Sequence, residues 1–129
     1  MGNNSGSIRN CYNRGSVSAD KYAGGIVGRS SGSIENCYNT GVVSVVTSRF
    51  DSHAGGIVGN NSGSSITNCH NEGIVSATAS PYHSYVGGIA GYTGSGGSIE
   101  NCYNIGSVSA DGYAGGITSY NYAGSIINC

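Results

Sequence analysis

An eight-residue segment of the form Ile-x-Asn-Cys-Tyr-Asn-x-Gly recurs along the chain and constrains its fold more than any other feature. Four complete copies and one incomplete copy begin at Ile8, Ile34, Ile66, Ile99 and Ile126. The cysteines of successive copies are 26 to 33 residues apart. Each complete copy is followed by a Val-Ser segment and then by Gly-Gly-Ile. A period in this range is typical of solenoids, propellers and other repeat architectures.

The short apolar segments of each repeat indicate β-strands. Each repeat has three of them, separated by Gly, Asn and Ser, and none shows the i, i+3, i+4 spacing of an amphipathic helix. Two repeats carry an insert at the same point, at Val46 to His53 and Thr78 to Tyr85, as a solenoid accepts a loop on one side. We therefore predict an all-β parallel β-solenoid with about three short strands per coil, four complete coils and part of a fifth.

The repeat divides the chain into units but gives no sign of a second domain. We expect a single domain over residues 1–129, with units at approximately 8–33, 34–65, 66–98 and 99–125 and a partial unit at 126–129. Because the chain begins just before one repeat and stops inside another, we expect it to be a fragment of a longer protein. No signal peptide is recognisable in it.

Stacked coils place equivalent residues above one another in columns. The Ile and Val positions of the repeat should form interior columns, since one coil alone cannot bury its apolar side chains. The first Asn of each copy is predicted to form a hydrogen-bonded amide ladder at a bend; these residues are Asn10, Asn36, Asn68 and Asn101. Glycines at the corners of the coil are expected where a positive φ favours Gly.

The cysteines should form another column, consisting of Cys11, Cys37, Cys69 and Cys102, with Cys129 at its end. Single-file thiols without a C-x-x-C motif do not suit a tetrahedral metal site. A disulfide between adjacent coils is geometrically allowed, because strands about 4.8 Å apart fall within the Cα separation of ~4.4 to 6.8 Å that disulfides need. Five cysteines would leave one unpaired, and we favour reduced, buried thiols that act as small apolar fillers.

Aromatic residues occur at two places in the repeat. Those after the cysteines should form an outward column that either stabilises the stack or binds a partner, and we favour stacking; they are Tyr12, Tyr38, His70 and Tyr103. Others cluster around the inserts, where solenoids place recognition, and are our candidate partner-binding residues, although they could merely cover the coil edges. These are Tyr22, Phe50, His53, Tyr82, His83, Tyr85 and Tyr113.

The composition offers little for other kinds of chemistry. Only 9% of the residues are charged and the net charge is −1, so we predict neither nucleic acid nor membrane insertion. Glu35 and Glu100 share an outward column about 9.6 Å apart, at the outer margin of the ~6.5 to 9.5 Å of an inverting glycosidase pair, and a solvated face explains them better. No H-E-x-x-H or calcium-binding Asp repeat is present. We predict no catalytic residue, metal or cofactor.

The sequence S-I-x-N-C-Y-N-x-G-x-V-S followed by A-G-G-I-V-G resembles the GLUG repeat. That motif is known from bacterial extracellular and cell-surface proteins, including non-catalytic regions of some IgA-cleaving metallopeptidases. The departures are modest: His70 replaces Tyr, Ala90 and Thr118 replace Val, and Ser119 replaces the closing Gly. The resemblance implies a surface-exposed or secreted repeat module of a bacterial protein, and it supplies no catalytic residues.

These observations together predict a structural or binding repeat module, acting in adhesion or as a spacer. Its expected partners are glycans or host and cell-surface proteins. Two alternatives stay open: a fragment of a carbohydrate-active β-helix enzyme, and a filament subunit that associates end to end through unpaired strand edges.

Overall fold

The computed structural model describes residues 1–129, which form short β-strands and no helix. It therefore contains no helix long and apolar enough to cross a membrane. In chain order the strands are β1 (Asn3–Asn4), β2 (Ile8–Arg9), β3 (Tyr12–Asn13), β4 (Val17–Ala19), β5 (Tyr22–Gly24), β6 (Val27–Ser30), β7 (Ile34–Glu35), β8 (Tyr38–Asn39), β9 (Val43–Val46), β10 (Ser52–Gly55), β11 (Val58–Asn61), β12 (Ser65–Thr67), β13 (His70–Asn71), β14 (Val75–Thr78), β15 (Ser84–Gly87), β16 (Ala90–Thr93), β17 (Ser98–Glu100), β18 (Tyr103–Asn104), β19 (Val108–Ala110), β20 (Tyr113–Gly115), β21 (Thr118–Asn121) and β22 (Ser125–Ile127).

Every strand pairs in parallel with the strand one coil away, so the strands stack into five sheets along the solenoid axis. Sheet 1 contains β1, β6, β11, β16 and β21, and sheet 2 contains β2, β7, β12, β17 and β22. Sheets 3, 4 and 5 hold four strands each and begin with β3, β4 and β5. The predicted parallel β-solenoid is confirmed.

Each coil has five strands where three were predicted, because two of the three apolar segments are broken in the middle. The first segment is divided by an Asn in the left-handed region, such as Asn36 at φ 53°, which turns the chain from sheet 2 into sheet 3. The third segment is divided at its Gly-Gly pair, so that β5 ends at Gly24 and β6 begins at Val27. An alternating pattern of apolar and polar residues does not reveal such a bend, because the segment belongs to the same coil on both sides of it.

The core consists of the predicted Ile and Val columns. Ile34, Ile66 and Ile99 of sheet 2 are fully buried, as are Val43 and Val75 of sheet 4. The buried residues form two clusters, one of Ile, Val and Cys side chains and one of Val and Ala side chains. Burial decreases only at the ends, where the last Ile of the sheet 2 column, Ile126, is 41% exposed. Neighbouring coils therefore supply the burial that a single coil lacks.

The amide ladder does not run through the predicted column. The first Asn of each copy adopts a positive φ instead, and the one bond between two of their side chains joins Asn128 Nδ2 to Asn101 Oδ1 at 3.3 Å. The ladder runs through the second Asn of each copy, whose amides are linked by bonds of 2.8 Å. Its members are Asn13, Asn39, Asn71 and Asn104. Each also bonds the backbone of the Gly two residues later.

The glycines of the Asn-x-Gly corner, such as Gly73, are required by close packing and not by a positive φ, whereas Gly63 of the Ser-Gly corner has the expected positive φ. Among glycines only Gly63 and Gly96 have a positive φ, and the left-handed positions of the repeat belong to Asn, whose short polar side chain tolerates them. A Cβ added to Gly73 would lie 2.0 Å from the carbonyl oxygen of Gly41. The coils can therefore approach at this corner only where no side chain is present.

Candidate binding surface

A first aromatic column covers the outer face of sheet 3. Its members Tyr12, Tyr38, His70 and Tyr103 follow one another with ring centroids 5.4, 5.2 and 4.8 Å apart and planes within 13° of parallel. Such pairs contribute about 0.5 to 1.5 kcal/mol each beyond burial. This geometry agrees with the interpretation that the column stabilises the stack of coils.

A second column lies on the outer face of sheet 5 and contains four of the seven candidate binding residues. Tyr22, His53, Tyr85 and Tyr113 are in register there, and successive ring centroids are 5.2 Å apart. His83 of the second insert packs on Tyr113 at 5.8 Å. The structure thus brings these five rings together through the register of sheet 5 and one insert.

The two remaining candidates lie on the inserts. Phe50 is 44% exposed and has the ammonium group of Lys21 at 5.3 Å from its ring, while the same group is 5.1 Å from the ring of Tyr22. Tyr82 is 47% exposed and has no ring stacked on it. A lysine ammonium over aromatic faces is held by cation–π attraction.

Sequence analysis missed two tyrosines on the outer face of sheet 1. Tyr92 and Tyr120 stack at 5.5 Å with planes 8° apart. Their edges meet the second column, since Tyr92 is T-shaped to His53 at 5.4 Å and Tyr120 to Tyr85 at 5.8 Å. We call the surface formed by these rings the aromatic corner, comprising Tyr22, His53, Tyr85, Tyr92, Tyr113 and Tyr120. The signal in the sequence that could have revealed these two tyrosines is their outward position after the Gly-Gly-Ile segment.

The inserts beside the aromatic corner are held by hydrogen bonds to aspartate carboxylates. Asp111 accepts bonds from the Ala79 amide at 3.0 Å and from the Ser84 hydroxyl, and the Ser84 bond is the main reason that the pKa of Asp111 is lowered. Asp51 accepts a bond from the His83 amide at 3.0 Å. Because the loops are tied to neighbouring coils, binding at this surface would order few additional groups.

His53 is the member of the aromatic corner whose protonation is most perturbed. Burial lowers its pKa to about 4, although Asp51 acts in the opposite direction. Its Nδ1 is buried and has no hydrogen-bond partner. His53 is therefore neutral at neutral pH.

Glu35 and Glu100 lie two coils apart in sheet 2. Glu35 forms an ion pair with Arg9, with Nε and Oε2 3.1 Å apart, and Thr67 lies between Glu35 and Glu100 in the sheet 2 register. No three His, Cys, Asp or Glu side chains are grouped so that they could hold a metal ion.

The cysteine column consists of free thiols. The thiols of Cys37, Cys69 and Cys102 are buried, and each donates to the carbonyl two residues earlier at 3.2 to 3.3 Å. Their sulfurs accept the backbone N–H of the preceding cysteine at 3.4 Å. Hydrogen bonds with Cys102 and Cys37, together with burial, raise the pKa of Cys69. Such satisfied thiols serve packing.

Comparison with known proteins places this geometry in a family. The chain matches the GLUG motif at residues 19–46, 51–76 and 82–109. It is also similar to the crystal structure of a "putative immunoglobulin A1 protease" from Bacteroides ovatus, with 35% identity and a TM-score of 0.76 over 94% of this chain and 40% of that chain. No protein with a curated description matches. The chain belongs to the GLUG-motif family.

Proposed function

We propose that this chain is a structural and binding module of a bacterial cell-surface or secreted protein, where it presents the aromatic corner for adhesion or serves as a spacer. The observation that carries the proposal is the aromatic corner itself, a set of six rings on a rigid stack of coils. Contiguous exposed aromatic surface on a soluble scaffold is a mark of interaction sites. The bacterial setting is supported by the similarity to the Bacteroides ovatus structure, and the extracellular location is part of the proposal.

A carbohydrate-active enzyme is less well supported. The two carboxylates that could form an inverting pair are separated by Thr67, and one of them is engaged by Arg9. The chain also covers only 40% of the Bacteroides ovatus protein named for a protease. The larger part of that protein lies outside the matched region and has room for catalytic residues.

Light scattering against concentration tests the alternative of end-to-end association through unpaired strand edges of the outer coils.

The test is a binding array of extracellular proteins and glycans probed with the purified chain, run beside a hydrolase and lyase screen on polysaccharides. We expect ligands whose binding is lost in the Tyr85→Ala, Tyr120→Ala double variant and retained in Tyr103→Ala, which truncates the first aromatic column. Turnover of a polysaccharide that disappears in Glu35→Gln or Glu100→Gln would refute the proposal.

A further inference from the structure

We propose that a polar cleft at the corner between sheets 1 and 2 binds an acidic saccharide through its carboxylate or sulfate group. The cleft has a volume of about 250 Å³, and none of its lining side chains is apolar. The lining residues come from three successive coils and are Asn3, Asn4, Ser5, Arg29, Ser31 and Ser62. None of them belongs to the aromatic corner, so this site goes beyond the proposed function and does not depend on a ligand being found at the rings.

The guanidinium group of Arg29 is held in place by its neighbours across the coils. Arg29 Nε donates to Ser62 Oγ at 3.2 Å, and the Ser62 hydroxyl in turn donates to Asn60 Oδ1. A guanidinium has five N–H donors, and this bond uses one of them. The two Nη atoms make no hydrogen bond within the protein, and their fork can donate two parallel bonds to a carboxylate or a sulfate.

The positive charge of Arg29 has no carboxylate to balance it. Five segments carry sheet 1 and its turns to sheet 2, at residues 1–7, 25–33, 56–65, 88–98 and 116–125. Arg29 is the one charged side chain among them. On sheet 2, by contrast, Arg9 pairs with Glu35 at 3.1 Å, whereas Arg29 forms no salt bridge. The charge of the cleft is therefore complementary to an anionic group of a partner.

The neutral groups of the cleft favour a saccharide over a single ion or a peptide. Ser5, Ser31 and Ser62 occupy the same repeat position in three successive coils, since each directly follows a residue paired in sheet 1. Their hydroxyls therefore extend over two layers of about 4.8 Å each, a distance that a single oxyanion does not span. Hydroxyl and amide groups both donate and accept hydrogen bonds, as the hydroxyls of a sugar do. A peptide would instead need an apolar pocket for its anchoring side chains, and the lining provides none.

The test is an NMR titration of the isotope-labelled chain with glucuronic acid at low ionic strength, with glucose added to a second sample. We expect the Arg29 Nε–H and the amides of Ser31 and Ser62 to shift with glucuronic acid and not with glucose. Arg29→Gln removes the charge and the fork, and it should weaken the binding of glucuronic acid about 10-fold or more. Arg9→Gln is the matched control, because it removes an arginine that Glu35 already engages, and it should leave the affinity unchanged.

Further probes separate a saccharide site from a site for any small anion. A sulfated glucose should bind as glucuronic acid does, because a guanidinium pairs with either group, and acetate and inorganic sulfate should bind more weakly than the two sugars. Acetate or inorganic sulfate that binds as tightly as the acidic sugars would overturn the saccharide assignment. Glucuronic acid that binds the Arg29→Gln variant unchanged, or that shifts no signal at the cleft, would overturn the site itself. Circular dichroism of each variant verifies that the fold is kept.

Discussion

Replacing Asn71 by Ala should remove the central link of the buried amide ladder. Its Nδ2 donates to Asn104 Oδ1 at 2.8 Å and to the Gly73 carbonyl at 2.9 Å. Its Oδ1 accepts from Asn39 Nδ2 at 2.8 Å and from the Gly73 amide at 3.2 Å. Asn71 has no solvent exposure, so water cannot replace these four bonds in the intact coil.

The free-energy cost follows from the polar groups that lose a hydrogen-bond partner in the variant. The Gly73 carbonyl loses its partner, and Asn39 Nδ2 keeps only its bond to Gly41. Each unsatisfied buried group costs about 1 to 3 kcal/mol, so the two together should lower the free energy of unfolding by about 2 to 6 kcal/mol. Since a domain of this size is stable by about 5 to 15 kcal/mol, the change would consume a large part of the total.

Urea unfolding followed by circular dichroism measures the effect, with Asn13→Ala as the matched control. Asn13 makes three of these four bonds at the first coil and lacks only the one from a preceding Asn, but the glycine that it holds, Gly15, is exposed, and water can bond the freed carbonyl. We expect a loss of about 1 kcal/mol or less there. Equal losses at the two positions, or a loss below about 1 kcal/mol at Asn71, would refute the argument that buried amide satisfaction stabilises the stack.

Three further outcomes can be measured on the same protein. The pKa of His53 in the folded chain is about 4 and lies below the ordinary value of 6.5, so the unfolded chain takes up the proton first and the free energy of unfolding should fall by about 3 kcal/mol as the pH falls from about 6.5 to 4. Urea unfolding at these two pH values measures this loss, and the His53→Tyr variant, which keeps a ring in the column, should lack the part of it that His53 causes. A thiol-specific reagent should modify two cysteines rapidly and the three buried ones only on unfolding, and five equal rates would contradict the buried column. Multi-angle light scattering should give the mass of a monomer at all concentrations if the chain acts as a separate surface module, and a mass that grows with concentration would favour the filament alternative, in which unpaired strand edges of the outer coils pair.

The sequence contains enough information to predict the coil because repetition and burial are coupled. Ile34 and Ile66 occur at the same place in their repeats, and stacking is the arrangement in which both lose all solvent exposure. Adjacent coils are then in register at every repeated position, and the columns of Cys and Tyr follow without further assumptions. For the same reason the aromatic column at sheet 3 and much of the one at sheet 5 were predictable.

Two features were not predictable from the repeat because they depend on which way a residue faces at a bend. The positions of Asn36 and Asn39 are both occupied by Asn in every complete copy, in nearly identical contexts. Asn tolerates turns and can satisfy backbone groups at either position. Only the chain path shows that Asn36 takes the left-handed position and that Asn39, which follows the outward Tyr38, faces the interior. The bend at Asn36 also explains why one predicted strand is two.

The missed part of the aromatic corner has a different cause. Tyr92 and Tyr120 are in register with Asn60 and Arg29 in sheet 1, so this column is aromatic in only two coils and its pattern is not periodic. The outward positions of sheet 1 are less constrained by the stack than those of sheets 3 and 5, and their residues differ from coil to coil. A search for columns that repeat therefore finds the scaffold and overlooks residues that vary on it.

This division between inner and outer positions explains how such a chain can carry a specific surface at little cost to its fold. The amide ladder has the same residue in each coil, since each member satisfies its neighbour, and the interior columns keep apolar residues such as Val58 and Ala90, which are in register. The outer positions of sheets 1 and 5 contribute ring stacking of about 0.5 to 1.5 kcal/mol per pair, a small term beside the burial of an Ile column at about 1.5 to 3 kcal/mol per side chain. Because the coils register these positions at fixed separations of 5.2 to 5.5 Å, changing one outer residue changes the surface without displacing the rest. Specificity in this module therefore resides in the residues that break the repeat.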